Sequence, residues 1–131
     1  MLALIAYTGI RRGEMMRLRW LDMDFRRKLI TARSLKQSRQ QRETSREIDM
    51  HPELEAILDT YRKQRPRGLY AICKPGSVDA LTKEQANDAF RRSLQGTRWE
   101  RKMPSGKKKT VIGFHTFRHS FASNLAAQGV D

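Results

Sequence analysis

Residues 8–14 read TGIRRGE, and this stretch decides how the first part of the chain folds. The residues before it, 2–7, are apolar without interruption, which predicts the last turns of a buried helix that Gly9 ends. The residues after it carry apolar side chains at helical spacing as far as Trp20 and predict a second short helix. Arg11 is therefore expected to lie between two helices.

A second arginine motif, HTFRHSFA, occupies residues 115–122. It begins a predicted helix over residues 115–128, which Gly129 ends. The side chains of this helix that are expected to face inward are Phe117, Phe121, Leu125 and Ala126. Guanidinium groups bind phosphate oxygens through paired hydrogen bonds. If Arg11 and Arg118 converge, they form a site for a phosphodiester.

The elements between the two motifs are predicted from apolar periodicity and from turn residues. In chain order they are a β-hairpin of residues 29–32 and 45–50 with a long basic tip over 34–44, a helix that begins at His51 and ends before Pro66, a short strand over 69–72, and a helix from Thr82 to Leu94. The apolar stripe of the first of these helices is Leu54, Ile57, Leu58 and Tyr61. The pattern indicates an α+β fold, mainly helical, with a small antiparallel sheet.

The charge of the chain indicates a polyanionic partner. The 131 residues carry a formal net charge of +13, and the isoelectric point is near 10.7. Such a surface gains affinity for nucleic acid by releasing counterions from the phosphates. An anionic membrane surface would attract it as well, but no apolar run approaches the roughly 20 residues that span a bilayer. Double-stranded DNA or another nucleic acid is the expected partner.

Cysteine and histidine are scarce. Cys73 is the single cysteine, so no disulfide can form within the chain, and no signal segment begins the sequence. A reducing cytoplasm is the expected compartment. Three scattered histidines and one cysteine argue against a structural metal site.

With both motifs in view, the sequence resembles the tyrosine recombinases, or phage integrases. Members of this family cut and rejoin DNA through a phosphotyrosyl intermediate, without a metal or nucleotide cofactor. Residues 8–14 are similar to the first arginine motif of the family, and residues 115–122 are similar to its second box. The resemblance implies catalytic places for Arg11, His115 and Arg118 and supporting places for Glu14 and His119.

The resemblance also implies a catalytic lysine in the hairpin and further basic contacts to DNA. Residues 46–54 are similar to the strand and helix start that follow this lysine, which would be Lys36. Arg39 and Arg42 share the same tip and leave the assignment open, with a solvated hairpin charge as the alternative. The candidate DNA-binding residues are Arg39, Arg42, Arg98, Arg101, Lys102, Lys107, Lys108 and Lys109, for which a solvated charged loop is the alternative.

The sequence departs from the family in what surrounds the two motifs. Relatives continue past the second box to a short helix with the nucleophilic tyrosine, and full-length relatives carry an N-terminal domain that clamps DNA. Tyr7, Tyr61 and Tyr70 all precede the second box, and none matches the nucleophile. Residues 1–131 are therefore expected to be a partial catalytic domain that binds DNA but does not cleave it alone. The full-length protein is expected to act as a homo-oligomer on DNA.

Interpretations of other classes stay open from the sequence. A non-catalytic DNA-binding remnant, or a regulator of a full-length recombinase, would use the same basic face. An RNA-binding protein would explain the charge but not the two arginine motifs. Type IB topoisomerases share the chemistry and are a variant of the recombinase interpretation.

Overall fold

The computed structural model describes residues 1–35, 42–64, 68–74, 76–98, 100 and 113–129. In chain order its elements are α1 (Leu2–Thr8), α2 (Arg12–Met16), a 3-10 turn (Trp20–Asp22), β1 (Met23–Asp24), β2 (Leu29–Leu35), β3 (Glu43–Asp49), α3 (Pro52–Gln64), α4 (Lys83–Ser93) and α5 (Phe114–Ala127). The fold is mainly helical α+β with a small antiparallel sheet, as predicted. None of the helices in the described ranges is long and apolar enough to cross a membrane.

Gly9 ends α1 and brings the two ends of the chain together. Its φ of 60° is left-handed, and its N–H bonds to the carbonyl of Ile5 at 2.9 Å. A side chain at this position would overlap the ring of Phe121 on α5. Because glycine leaves that space free, α1 packs directly against α5. The first motif therefore begins beside the second.

The sheet has the strand order β1-β2-β3 and is antiparallel throughout. Ile30 and Ala32 of β2 are buried and lie opposite Ile48 and Arg46 of β3. Directly opposed residues share a face of an antiparallel sheet. Arg46 therefore lies on the same face as the core residues, although it is charged.

The core lies where α1, α2, α3, α4 and the start of α5 meet one face of the sheet. Its largest fully buried side chains are Leu4, Ile5, Thr8, Ile10, Met15, Leu18, Ile30 and Leu54. Phe90 of α4 contacts Phe114 of α5 with ring centroids 4.7 Å apart, and Phe117 of α5 edge-on at 5.8 Å. These aromatic contacts hold the start of α5 against α4.

Side chains cap the starts of two helices. Thr82 caps α4, since its hydroxyl accepts the N–H of Gln85 at 3.2 Å and the Gln85 side chain accepts the N–H of Thr82 at 3.0 Å. At the start of α3, the Nδ1 of His51 accepts the N–H of Glu53. Both helices begin where these residues predict.

Two predicted elements are wrong in detail. Residues 69–72 do not form a strand, because Tyr70 and Cys73 make only single bridges, with Arg19 and Ala80. The predicted helix through Trp20 instead ends at Met16 and is followed by the 3-10 turn, since the Asp22 carboxylate accepts the N–H of Arg19 and starts a new turn there.

Two predicted core positions are also wrong. Ile57 is 46% exposed, because Leu54 and Leu58 face the core and Ile57 lies on the flank of that stripe. Ala126 is exposed, because the first turns of α5 make its buried contacts, at Phe114. Phe117, Phe121 and Leu125 are half-buried.

Candidate active site

The two arginine motifs line a single cavity of about 500 Å³. Arg11 and Arg12 reach it from the start of α2, and His115 and Arg118 reach it from the first turns of α5. The remaining lining residues are Ile10, Gly13, Asn87, Phe90, Arg91, Gly113 and Phe114. This volume is in the range of small-ligand pockets and is large enough for a phosphodiester and its neighbouring sugar. Folding thus brings Arg11, His115 and Arg118 together.

Arg118 is half-buried and is held by the backbone of the first motif. Its Nη1 donates a hydrogen bond to the carbonyl of Gly9. Burial lowers the pKa of Arg118, the positive charges of Arg11 and Arg46 lower it further, and Glu14 opposes them. An arginine side chain nevertheless stays protonated at neutral pH. Cations therefore crowd this cavity, and a bound anion would relieve their repulsion.

Glu14 both caps α2 and orients Arg11. Its side chain is only 2% exposed. Oε2 accepts the backbone N–H of Arg11 at 2.9 Å, and Oε1 accepts Nη1 of the same residue at 3.1 Å. The Arg11 side chain is still 56% exposed. One edge of its guanidinium is fixed by Glu14 while the rest remains accessible to a ligand.

Arg46 was not predicted as a site residue, and neither were Arg12, Asn87 and Arg91, which line the cavity. Nη2 of Arg46 donates to Oε2 of Glu14 at 3.0 Å, so two arginines share one carboxylate. A sequence signal existed: the alternation of β3 places Arg46 on the same face as Ile48, where a charged group needs a carboxylate partner. A second cavity of about 200 Å³ adjoins Arg11 and is lined by Glu14, Ala32, Ser34, Thr44, Ser45 and Arg46.

Glu14 is an anion in this arrangement. Burial raises its pKa, but the backbone N–H of Arg11, the Arg46 guanidinium and the Arg11 side chain lower it by more, so the pKa lies below its ordinary value. Glu14 is consequently ionised at neutral pH. An ionised carboxylate cannot donate a proton, and what it can do here is hold two guanidinium groups.

The other predicted site residues do not all meet at this cavity. His115 lines it and is exposed. His119, one turn further along α5, is exposed and is not among the lining residues, and neither are Arg42 and Arg98, which are also exposed. Outside the described residues lie Lys36, Arg39, Arg101, Lys102, Lys107, Lys108 and Lys109.

The three tyrosines, all of which the structure describes, lie away from the cavity lining. Tyr7 donates its hydroxyl to Glu53 and stacks on His51. Tyr61 packs against Trp20, with ring centroids 6.0 Å apart. Tyr70 lines a separate pocket beside Arg17, Arg19 and Arg33. Within the described ranges, no three His, Cys, Asp or Glu side chains are grouped as metal ligands.

A second buried carboxylate, Asp22, repeats the local design of Glu14. Its Oδ2 accepts the N–H of Arg19 at 2.9 Å, three residues before it in the chain. Its Oδ1 accepts Nε and Nη2 of Arg33, from β2, at 2.9 and 2.8 Å. Arg33 also bonds Glu43 at 3.3 Å. This group of charges binds the 3-10 turn to the sheet.

Comparison with known proteins gives a consistent set of likenesses. The model of the phage integrase family matches residues 1–131. The crystal structure of XerA recombinase superposes with a TM-score of 0.75 at 21% identity, covering 98% of this chain and 43% of that one. The Tn1549 transposon integrase in complex with transposon right-end DNA superposes with a TM-score of 0.73 at 19% identity. The match covers 99% of this chain and 46% of that one.

A further similar structure is the XerH site-specific recombinase bound to its difH substrate in a pre-cleavage complex. Its TM-score is 0.63 at 20% identity, and the match covers 97% of this chain and 34% of that one. The chain thus spans less than half the length of these solved structures. No curated protein matches the chain. At these identities the structural likeness shows a shared fold.

Proposed function

Since the chain belongs to the phage integrase family of tyrosine recombinases, we propose that it serves site-specific DNA recombination or integration. In that reaction DNA strands are cut and rejoined through a phosphotyrosyl intermediate. The observation that carries the proposal is the convergence of Arg11, His115 and Arg118 on one cavity. The net charge of +13 supports double-stranded DNA as the partner.

In this proposal the scissile phosphate lies between Arg11 and Arg118. The two guanidinium groups bind its non-bridging oxygens and stabilise the charge that grows on them when the nucleophile adds. The exposed imidazole of His115 exchanges a proton beside the phosphate. Lys36 remains the proposed donor of a proton to the departing 5′ hydroxyl, and Glu14 holds Arg11 in place.

We further propose that residues 1–131 alone bind DNA and hold the phosphate without forming the phosphotyrosyl bond. None of Tyr7, Tyr61 and Tyr70 lies on the cavity lining, and the hydroxyl of Tyr7 is bonded to Glu53. The same observation favours a second candidate function, a DNA-binding regulator that occupies recombination sites. In the full-length protein, several copies would assemble on DNA.

The first experiment measures binding of orthovanadate, a phosphate analogue, by calorimetry. Arg11→Ala and Arg118→Ala are each expected to weaken binding by at least about tenfold, since each removes charge-assisted hydrogen bonds. Arg27→Ala is the matched control, because Arg27 is an exposed arginine that pairs with Glu47 and does not line the cavity. Equal losses in all three variants would contradict a shared phosphate site.

The second experiment uses a nicked suicide duplex, which traps a covalent protein–DNA intermediate. Residues 1–131 are expected to shift the duplex in a binding gel and to form no adduct that survives denaturation. A covalent adduct would contradict the proposed inactivity and would show that a residue of this chain can act as the nucleophile. Absence of both binding and adduct would contradict the DNA-binding proposal.

A further inference from the structure

Glu14 creates an electrostatic conflict in the site described above. Its ionised carboxylate bonds directly to Arg11 and so cancels the charge of one of the two phosphate-facing arginines. Taken together, Arg11 and Glu14 carry no net charge, so the pair as a whole would not attract an anion. A buried carboxylate beside a phosphate site also repels the phosphate itself.

Arg46 resolves this conflict geometrically. It bonds the Oε2 oxygen of Glu14 at 3.0 Å, while Arg11 Nη1 bonds Oε1. The guanidinium reaches the carboxylate because the residue opposite Arg46 in the sheet, Ala32, is small and buried. The Arg46 side chain is 42% exposed. Its contact with Glu14 therefore leaves much of the group facing the adjoining 200 Å³ cavity.

We propose that Arg46 is a positioning residue of the phosphate site, which neutralises Glu14 and thereby frees the charge of Arg11 for the scissile phosphate. This inference rests on the proposed function. It assigns to Arg46 an effect through Glu14 and Arg11, without direct contact to the reacting atoms.

The net charge of Glu14 and the three arginines around it matches the negative charge that develops on the phosphate during the reaction. Arg11, Arg46 and Arg118 with Glu14 sum to +2, whereas the same set without Arg46 sums to +1. A phosphodiester carries one negative charge, and a second develops when the nucleophile adds. The positive charge that Arg46 adds to this group favours the more highly charged state, which is the requirement for catalysis rather than for binding alone. The repulsion that lowers the pKa of Arg118 comes in part from Arg46 and agrees with this proximity.

The deciding variants change Arg46 alone and together with Glu14. Arg46→Met keeps the aliphatic length and removes the charge, and we expect it to weaken orthovanadate binding about tenfold, which corresponds to about 1.4 kcal/mol. Arg46→Lys should keep most of the affinity because it keeps the charge. The double variant Glu14→Gln with Arg46→Met should regain most of the loss, because it removes both charges of the pair. A merely structural role for Arg46 predicts no such recovery.

The matched control is Arg33→Met, which removes the sheet arginine from the other buried carboxylate, Asp22. It should lower the melting temperature and leave orthovanadate affinity within about twofold once the folded fraction is set by circular dichroism. Unchanged affinity in Arg46→Met, with a loss in Arg118→Ala, would overturn this inference while the proposed function stands. Binding that is insensitive to Arg11 and Arg118 would overturn both.

Discussion

Glu14 and Asp22 hold two turns of the chain in the same way, but only Glu14 lies at the candidate active site. Each is almost completely buried, accepts the N–H of an arginine three residues earlier, and binds an arginine from the sheet. We call these groups the Glu14 cluster, which is Arg11, Glu14, Arg46 and Arg118, and the Asp22 cluster, which is Arg19, Asp22, Arg33 and Glu43.

The two clusters differ in charge balance. In the Asp22 cluster two arginines pair with two carboxylates, so the net formal charge is zero. In the Glu14 cluster three arginines meet one carboxylate, so the sum is +2 beside a cavity. Buried acid–arginine pairing is thus a structural device that the fold uses twice. The excess of positive charge beside the cavity is what distinguishes the Glu14 cluster as the candidate phosphate site.

The largest effect on stability is expected from a substitution that breaks the Asp22 cluster. Asp22→Ala leaves Arg33 without its main partner and the N–H of Arg19 without an acceptor, so we expect a loss of about 2–3 kcal/mol in the free energy of unfolding, since an unmade buried hydrogen bond costs about 1–3 kcal/mol. Urea denaturation measures it, with Asp88→Ala, an exposed acid paired with Arg91, as the control. Orthovanadate affinity of the folded fraction should be unchanged. A loss of affinity would mean that the two clusters are not separate in function.

A smaller stability effect is expected from Glu14→Gln. The amide of glutamine can still accept the N–H of Arg11, whereas alanine at position 22 removes every acceptor that Asp22 supplies. We expect the free energy of unfolding to fall by about 1–2 kcal/mol, as measured by urea denaturation. An effect as large as that of Asp22→Ala would show that the Glu14 cluster is equally a folding device.

The pH dependence of stability sharpens the comparison further. Because the pKa of Glu14 is lowered in the folded protein, its ionised form stabilises the fold above its ordinary value of 4.5, and this contribution is lost as pH falls through the lower folded-state value. The difference in melting temperature between the wild type and Glu14→Gln should be constant from pH 7 to about pH 5 and should shrink below pH 4.5. A difference that persists unchanged to pH 3 would contradict the lowered pKa.

The smallest effect is expected outside both clusters. Arg27 and Glu47 form an exposed pair at 3.6 Å. Arg27→Ala should change the free energy of unfolding by no more than about 0.5 kcal/mol, since exposed ion pairs contribute little. The same urea titration measures it. A loss above about 1 kcal/mol would show that surface charge stabilises this chain more than its exposure suggests.

Local features were predictable from the sequence, and contacts across the fold were less so. The glycine at the end of α1, the Thr82 cap and the hairpin strands follow from side-chain chemistry within a few residues. The single bridges at Tyr70 and Cys73 were missed, because they depend on which distant segment passes beside them.

For the candidate site, too, the contiguous motifs were predictable from the sequence, whereas the long-range contact was not. The two arginine motifs stand out because their residues are contiguous. The partnership of Arg46 with Glu14, 32 residues away, depends on the register of β2 and β3 and on the small size of Ala32. The available signal was an arginine on the core-facing side of a strand. This signal indicates that the arginine needs a polar partner, but it does not identify which residue the partner is.

The packing of α1 on α5 also sets when the candidate phosphate site can form during synthesis. Chains emerge from the ribosome N-terminus first. A chain that has emerged as far as α4 already contains Arg11, Glu14 and Arg46. The carbonyl of Gly9 does not yet accept a hydrogen bond from Arg118, which lies on α5. Only when α5 emerges and packs on α1 does Arg118 join Arg11 at the cavity. A nascent chain is therefore strongly basic before its candidate phosphate site is complete.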